Sequence, residues 1–242
     1  MKKFLSIFLL LLVLGCIQKE KPENWNIHVI NGGIEEYSLS ELKAFRTDII
    51  TETVVEEKIR KVPWEGVPST ILGDGEIINY ISEDRYLVSV PSTVEVVLAY
   101  KKEGEPIAKK EGGPLKIAVD PDYGCKCNWL KYLKIVEFVD RENSLSIYGK
   151  VFNILYFSSR DLNLFYSLED LIENTYHKAP LNKILEKAIC KDKAETAVFI
   201  TEEGRKSFEL SKIKSENPDL IYEGGFNIPA LDLTDIRGIK IE

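Results

Sequence analysis

Cys125 and Cys127 flank Lys126 in Tyr123-Gly124-Cys125-Lys126-Cys127-Asn128-Trp129, the most chemically suggestive internal stretch of the chain. A lysine beside a thiol favours the thiolate, so a redox couple or a metal-ligand role is open to this pair. A structural disulfide is equally open, either within the pair or from one member to Cys190, and three internal thiols leave one unpaired whichever bond forms. A zinc site is not expected, because it needs a fourth ligand and the sequence offers no further Cys or His pair. His28 and His177 are the only histidines. The first falls in a candidate strand and the second in a loop beside Tyr176 and Pro180. Glu56-Glu57 and Glu202-Glu203 are adjacent carboxylates, but neighbours on a strand point to opposite faces, so both read as solvated charge. Gly32-Gly33, Gly112-Gly113 and Gly224-Gly225 lack the following helix and Lys-Ser or Lys-Thr of a phosphate loop and read as turns. No nucleophile elbow, His-Glu-x-x-His or calcium loop occurs, so no catalytic residue is assigned.

The fourth cysteine is Cys16. Met1-Lys2-Lys3 precedes an apolar run from Phe4 to Leu14, which is too short for a spanning helix of roughly 20 residues and suits the core of an export signal. Its end, Leu12-Val13-Leu14-Gly15-Cys16, resembles the lipobox of prokaryotic lipoproteins. That resemblance implies cleavage after residue 15 and lipidation of Cys16. The membrane lipid is then a partner, and the protein is anchored on the extracytoplasmic face of the cell membrane. Residues 16–24 are polar with one proline and form a tether.

The elements that must position these residues follow from composition and pattern. The chain has 242 residues, 44% of them hydrophobic, and a net charge of -7. Such a chain can bury a core, is not a polytopic membrane protein, and is a poor partner for nucleic acid, whose phosphates call for basic surface. Strands are expected at Trp25–Ile30, Glu35–Ser38, Tyr86–Val90, Val94–Lys101, Leu115–Val119 and Ile135–Val139. One extended run is expected over Thr47–Lys61, with short helices after Ser38 and from Ser69 to Leu72.

The second half repeats this plan. Tyr37-Ser38-Leu39-Ser40-Glu41-Leu42-Lys43-Ala44-Phe45 aligns without gaps on Phe157-Ser158-Ser159-Arg160-Asp161-Leu162-Asn163-Leu164-Phe165. Val67-Pro68 and the helix behind it match Ala179-Pro180 and Leu181–Ala188, and Arg85 with its strand matches Arg205 with the strand Ser207–Leu210. Leu133–Phe138 matches Ile236–Ile241. Two domains are expected, at 25–140 and 145–242, joined through Asp140–Ser144.

Four blocks in order carry a family resemblance. They are Trp64-x-Gly66-Val67-Pro68, Gly104-Glu105-Pro106-Ile107, Gly112-Gly113-Pro114-Leu115-Lys116-Ile117, and Gly124-x-Lys126 with Trp129. Together they resemble the sulfite-oxidase-like oxidoreductase molybdopterin-binding domain, over Trp25–Val139. The resemblance implies an α+β fold of two such domains, the second a degenerate copy, with mostly antiparallel, barrel-like sheets and short helices. It also implies molybdenum held through the pterin dithiolene and one Cys on the stretch before the Trp-x-Gly-Val block, with Arg, His and Lys holding the pterin phosphate. This chain has no Cys between Ile17 and Gly124, and Asn128 stands where a basic residue often precedes the Trp. Glu52, Glu56 and Glu57 would repel the phosphate if they faced it.

The resulting expectation is a lipid-anchored, non-catalytic module binding a small ligand or a surface protein. The alternative is a molybdopterin-dependent oxidoreductase or electron-transfer subunit in which Cys125 or Cys127 supplies an atypical ligand.

Overall fold

A computed structural model describes residues 24–55, 58–123 and 128–242. The export signal, Cys16, most of the tether, Glu56-Glu57 and the Cys125/Cys127 pair lie outside the described residues. Trp25 is buried, and its Nε1 donates to the Leu133 carbonyl at 2.8 Å.

The first half builds two sheets. One runs β2-β1-β10-β5-β6, from β1 (Asn26–Ile30), β2 (Ile34–Ser38), β5 (Ile77–Ser82), β6 (Leu87–Pro91) and β10 (Leu133–Val139). The other runs β3-β4-β7-β8 with β9 against β7, from β3 (Asp48–Val55), β4 (Ile59–Pro68), β7 (Val96–Lys102), β8 (Glu105–Pro106) and β9 (Lys116–Val119). The expected single run over Thr47–Lys61 is instead two antiparallel strands, with Glu52 opposite Val62 and Ile50 opposite Trp64.

The second half builds a sheet of order β12-β11-β18-β14-β15, from β11 (Leu145–Gly149), β12 (Leu155–Phe157), β14 (Thr196–Thr201), β15 (Gly204–Glu209) and β18 (Ile236–Ile241). A smaller sheet joins β13 (Lys178–Pro180), β16 (Asp219–Tyr222) and β17 (Phe226–Asn227). The two five-stranded sheets correspond strand for strand. Each opens with a hairpin, sets its first strand parallel to its last, and pairs that last strand antiparallel with a second hairpin. Each also carries a register shift at the same aligned place, between Leu133 and Ile135 in one and opposite Ile200/Thr201 in the other. An extra residue bends a strand and strengthens its twist, so a shared bulge is a specific likeness.

Among the described residues no sheet closes into a barrel, which corrects the barrel-like expectation. β2 and β6 end the first sheet without meeting, and β12 and β15 end its counterpart. Closure is replaced by layering. Val29, Ile78, Tyr80, Val88, Val90 and Val136 face Val67, Leu98, Ile117 and Val119 of the β3–β9 sheet, while Ile30, Ile81, Leu87 and Ile135 join the core of the second half. Both faces of the first sheet are thus covered, and all six residues of β5 are buried.

Gly66 shows why the Trp-x-Gly-Val block needs glycine. At the β4–β7 bulge, a Cβ on Gly66 would lie 2.0 Å from the Leu98 carbonyl oxygen.

Candidate functional site

The outer face of the β3–β9 sheet gathers the residues of the family-like blocks. Trp64, buried on β4, donates its indole Nε1 to Glu52 Oε2 at 3.0 Å. Trp129 meets Trp64 edge to face at 5.6 Å between ring centroids. Lys116 enters from β9 and is 6% exposed, with its ammonium 4.4 Å from the Trp64 ring centre and 5.5 Å from that of Trp129. Burial, with the Lys131 and Lys102 charges nearby and Glu52 opposing, lowers its pKa to about 8. Lys102 stands 5.4 Å from the same Trp64 ring and is paired with Glu111 at 2.6 Å. The cations are held by indole faces, an arrangement that gains strength with desolvation. The sheet supplies the geometry, since Glu52, Trp64 and Lys116 sit on β3, β4 and β9, tied together through β7.

A second polar cluster lies where the halves meet. Asn79 on β5 donates to the Tyr156 carbonyl at 2.8 Å and to Asp161 Oδ2 at 2.9 Å, and its Oδ1 accepts from Ser89 at 2.6 Å. Ser158 donates its backbone N–H to Asp161 Oδ2 at 2.8 Å and its hydroxyl to Glu137 Oε1 at 2.8 Å. The sequence reading missed this cluster. Its one visible signal was the alignment of Ser158 and Asp161 on Ser38 and Glu41. In the first half Ser38 and Glu41 form a solvent-facing capping box at a helix start. In the second half the same spacing recurs, with Asp161 N–H donating to Ser158 Oγ at 3.2 Å, but here the acid is fully buried and the serine half-buried.

The candidate residues otherwise scatter. His28 lies on β1 and lines a cleft of about 610 Å³ with Glu36, Lys134 and Tyr166. His177 is exposed, and its carbonyl accepts from the Tyr222 N–H. Glu202 pairs with Arg237 at the surface. The three glycine doublets lie at turns, as read from the sequence. Cys190 is a half-buried free thiol whose pKa is raised by burial. Asn128 lies next to Trp129 and accepts from the Leu130 N–H at 3.1 Å.

Comparison with known proteins agrees with the block pattern. Residues 15–148, more than half of the chain, match the oxidoreductase molybdopterin binding domain. No curated protein matches the chain. Among solved structures, the sulfane dehydrogenase SoxCD from Paracoccus pantotrophus is similar over 50% of this chain and 39% of its own, at 16% identity and a TM-score of 0.40. This chain therefore spans well under half of that protein's length. On the strength of the match over residues 15–148, the chain belongs to the oxidoreductase molybdopterin-binding domain family.

Proposed function

We propose that this protein is a lipid-anchored binding module on the extracytoplasmic face of the membrane, built on the family's fold without its molybdenum chemistry. The observation that carries the reading is Glu52. On the strand before Trp64-x-Gly66-Val67, where the resemblance implies a thiolate, the buried side chain is a carboxylate engaged by the Trp64 indole. A dithiolene-bound metal of this class takes a soft sulfur donor, and a hard carboxylate already accepting a hydrogen bond is a poor substitute. Lys116 suits the anionic end of a pterin, because no carboxylate comes within ion-pair distance of its ammonium among the described residues. The phosphate end of the cofactor thus fits better than its metal end. Among the described residues no group of three or more His, Cys, Asp or Glu could hold a metal ion.

The matching strand order, the shared bulge and the repeated Ser-x-x-acid box support reading residues 145–242 as a degenerate second copy of the domain. The anchor rests on the Leu14-Gly15-Cys16 pattern. Expressed with its own signal in a lipoprotein-processing host, the protein is expected in the membrane fraction with acyl mass on Cys16, and Cys16→Ser is expected to release it. A wild-type protein recovered entirely in the soluble fraction would remove the anchor from the proposal. Metal and pterin content tests the non-catalytic part.

A further inference from the structure

Away from the Trp64–Lys116 cluster, the two halves enclose a cleft of about 580 Å³. Its first wall is the turn between β5 and β6, where Arg85 holds a left-handed backbone at φ 64° and Arg85 N–H donates to the Ser82 carbonyl at 2.9 Å. Its second wall is the helix Leu181–Ala188. Leu181, Ile184, Leu185 and Ala188 of that helix are buried, while Lys183, Glu186 and Lys187 line the cleft. Apolar surface comes from Tyr86, Leu164, Phe165 and Ile189.

Two hydrogen bonds fix these walls across the seam. Arg85 Nη1 donates to the Tyr166 carbonyl at 2.6 Å, and Lys187 Nζ donates to the Arg85 carbonyl at 2.6 Å. Arg85, Lys183 and Lys187 all line this cleft, and none of them meets a carboxylate within 4.0 Å among the described residues. Asp84 and Glu186 also line the cleft and leave a surplus of one positive charge. Lys187 is half-buried, and its ammonium is disfavoured by burial and by Arg85, with Asp84 and Glu186 opposing. A desolvated cation without a counter-ion gains most from an anion that reaches it. The volume falls in the range of small-molecule sites, which combine an apolar lining with a few placed polar groups.

We infer that this cleft binds a small organic anion with an apolar or aromatic body. Its carboxylate or sulfonate sits between Arg85, Lys183 and Lys187, and its body lies on Tyr86, Phe165 and Ile189. The inference rests on the binding-module reading for its biological sense, and it gives that reading a site distinct from the family's cofactor face.

The test titrates the full chain with anilinonaphthalene sulfonate, an aromatic anion, and with neutral phenylnaphthylamine, following dye fluorescence. Saturable one-to-one binding of the anion is expected, about tenfold tighter than that of the neutral dye. Lys187→Gln, which keeps a donor for the Arg85 carbonyl, is expected to weaken anion binding about tenfold. Lys183→Glu, a change on the exposed rim, is expected to weaken it about fivefold. Lys183→Arg should restore binding, and Lys212→Glu, on another helix, should leave it unchanged. Absence of saturable anion binding, equal affinity for both dyes, or indifference to Lys183→Glu would overturn the inference. Metal and pterin content of the same preparation judges the binding-module reading separately, because a metal-loaded protein would sink that reading whatever the dyes do.

Discussion

Ser158 bridges the carboxyl groups of Glu137 and Asp161, which are 4% and 0% exposed at the seam between the two halves. Glu137 Oε2 and Asp161 Oδ1 have no hydrogen-bond partner among the described residues, while the opposite oxygen of each accepts from Ser158. Two carboxylates buried against the same serine resist double ionisation, and a proton held between them gives the unpartnered oxygens a donor. Burial pushes both groups above the ordinary carboxylate range. The Glu137 charge adds to the pressure on Asp161, where the Ser158 hydrogen bonds oppose it, while the Ser158 and Asn79 hydrogen bonds and the Arg160 charge oppose the shift at Glu137.

The seam therefore makes stability fall as pH rises. Raised folded-state values mean that the folded chain keeps a proton the unfolded chain releases. The contribution is fully present below the unfolded carboxylate range and is lost as pH climbs through the folded pKa of the pair. Urea midpoints are expected to decline from pH 5 towards pH 7 in the wild type. Glu137→Gln, which carries its own donor, should flatten that slope. A wild-type slope unchanged by Glu137→Gln would refute the shared proton.

Asn79 ties the seam by three hydrogen bonds, so its truncation should be expensive. Asn79→Ala leaves the Tyr156 carbonyl, Ser89 and Asp161 short of partners, and a loss of about 3 kcal/mol in urea denaturation is expected. A loss within about 0.5 kcal/mol, the usual range for surface changes, would mean that the cluster is solvated.

Gly66→Ala should cost about 3 kcal/mol, because the new methyl group overlaps strand backbone, which has no rotamer to yield. Gly33→Ala, with nothing within 4 Å of its Cβ position, should shift the melting temperature little. Equal melting temperatures for the two variants would contradict the close β4–β7 approach.

Lys116 lies over two indoles, so its titration should be visible in tryptophan emission. A fluorescence transition with a midpoint at about pH 8 is expected, and Lys116→Met should abolish it. A transition that survives Lys116→Met would assign the signal to another group.

Local order was the part of the fold most legible in the sequence. The short helix after Ser38 was readable because a Ser-x-x-Glu cap is written within four residues. The strand Ile236–Ile241 was bounded correctly because its apolar run follows a turn. The strand Ile77–Ser82 escaped, since a strand covered on both faces shows no alternation and its buried Asn79 resembles a loop residue. The Thr47–Lys61 run hid a hairpin for a related reason, as β-branched residues continue up to its turn. The seam and the cleft could not be read at all. Glu137 meets Asp161 only after two sheets pack, and Arg85 reaches Lys187 across about a hundred residues of chain. The missing family thiol was plain from composition. That Glu52 is buried against Trp64 became visible only with the β3–β4 register.

This chain is proposed to keep the family's fold and not its metal. The most direct test is molybdenum, tungsten and pterin content in full-length protein purified from a host that makes and exports the cofactor. Metal far below one per chain and no stoichiometric pterin are expected. About one metal and one pterin per chain, lost in Cys125→Ser or Cys127→Ser, would contradict it and place an atypical thiolate at the centre of an oxidoreductase.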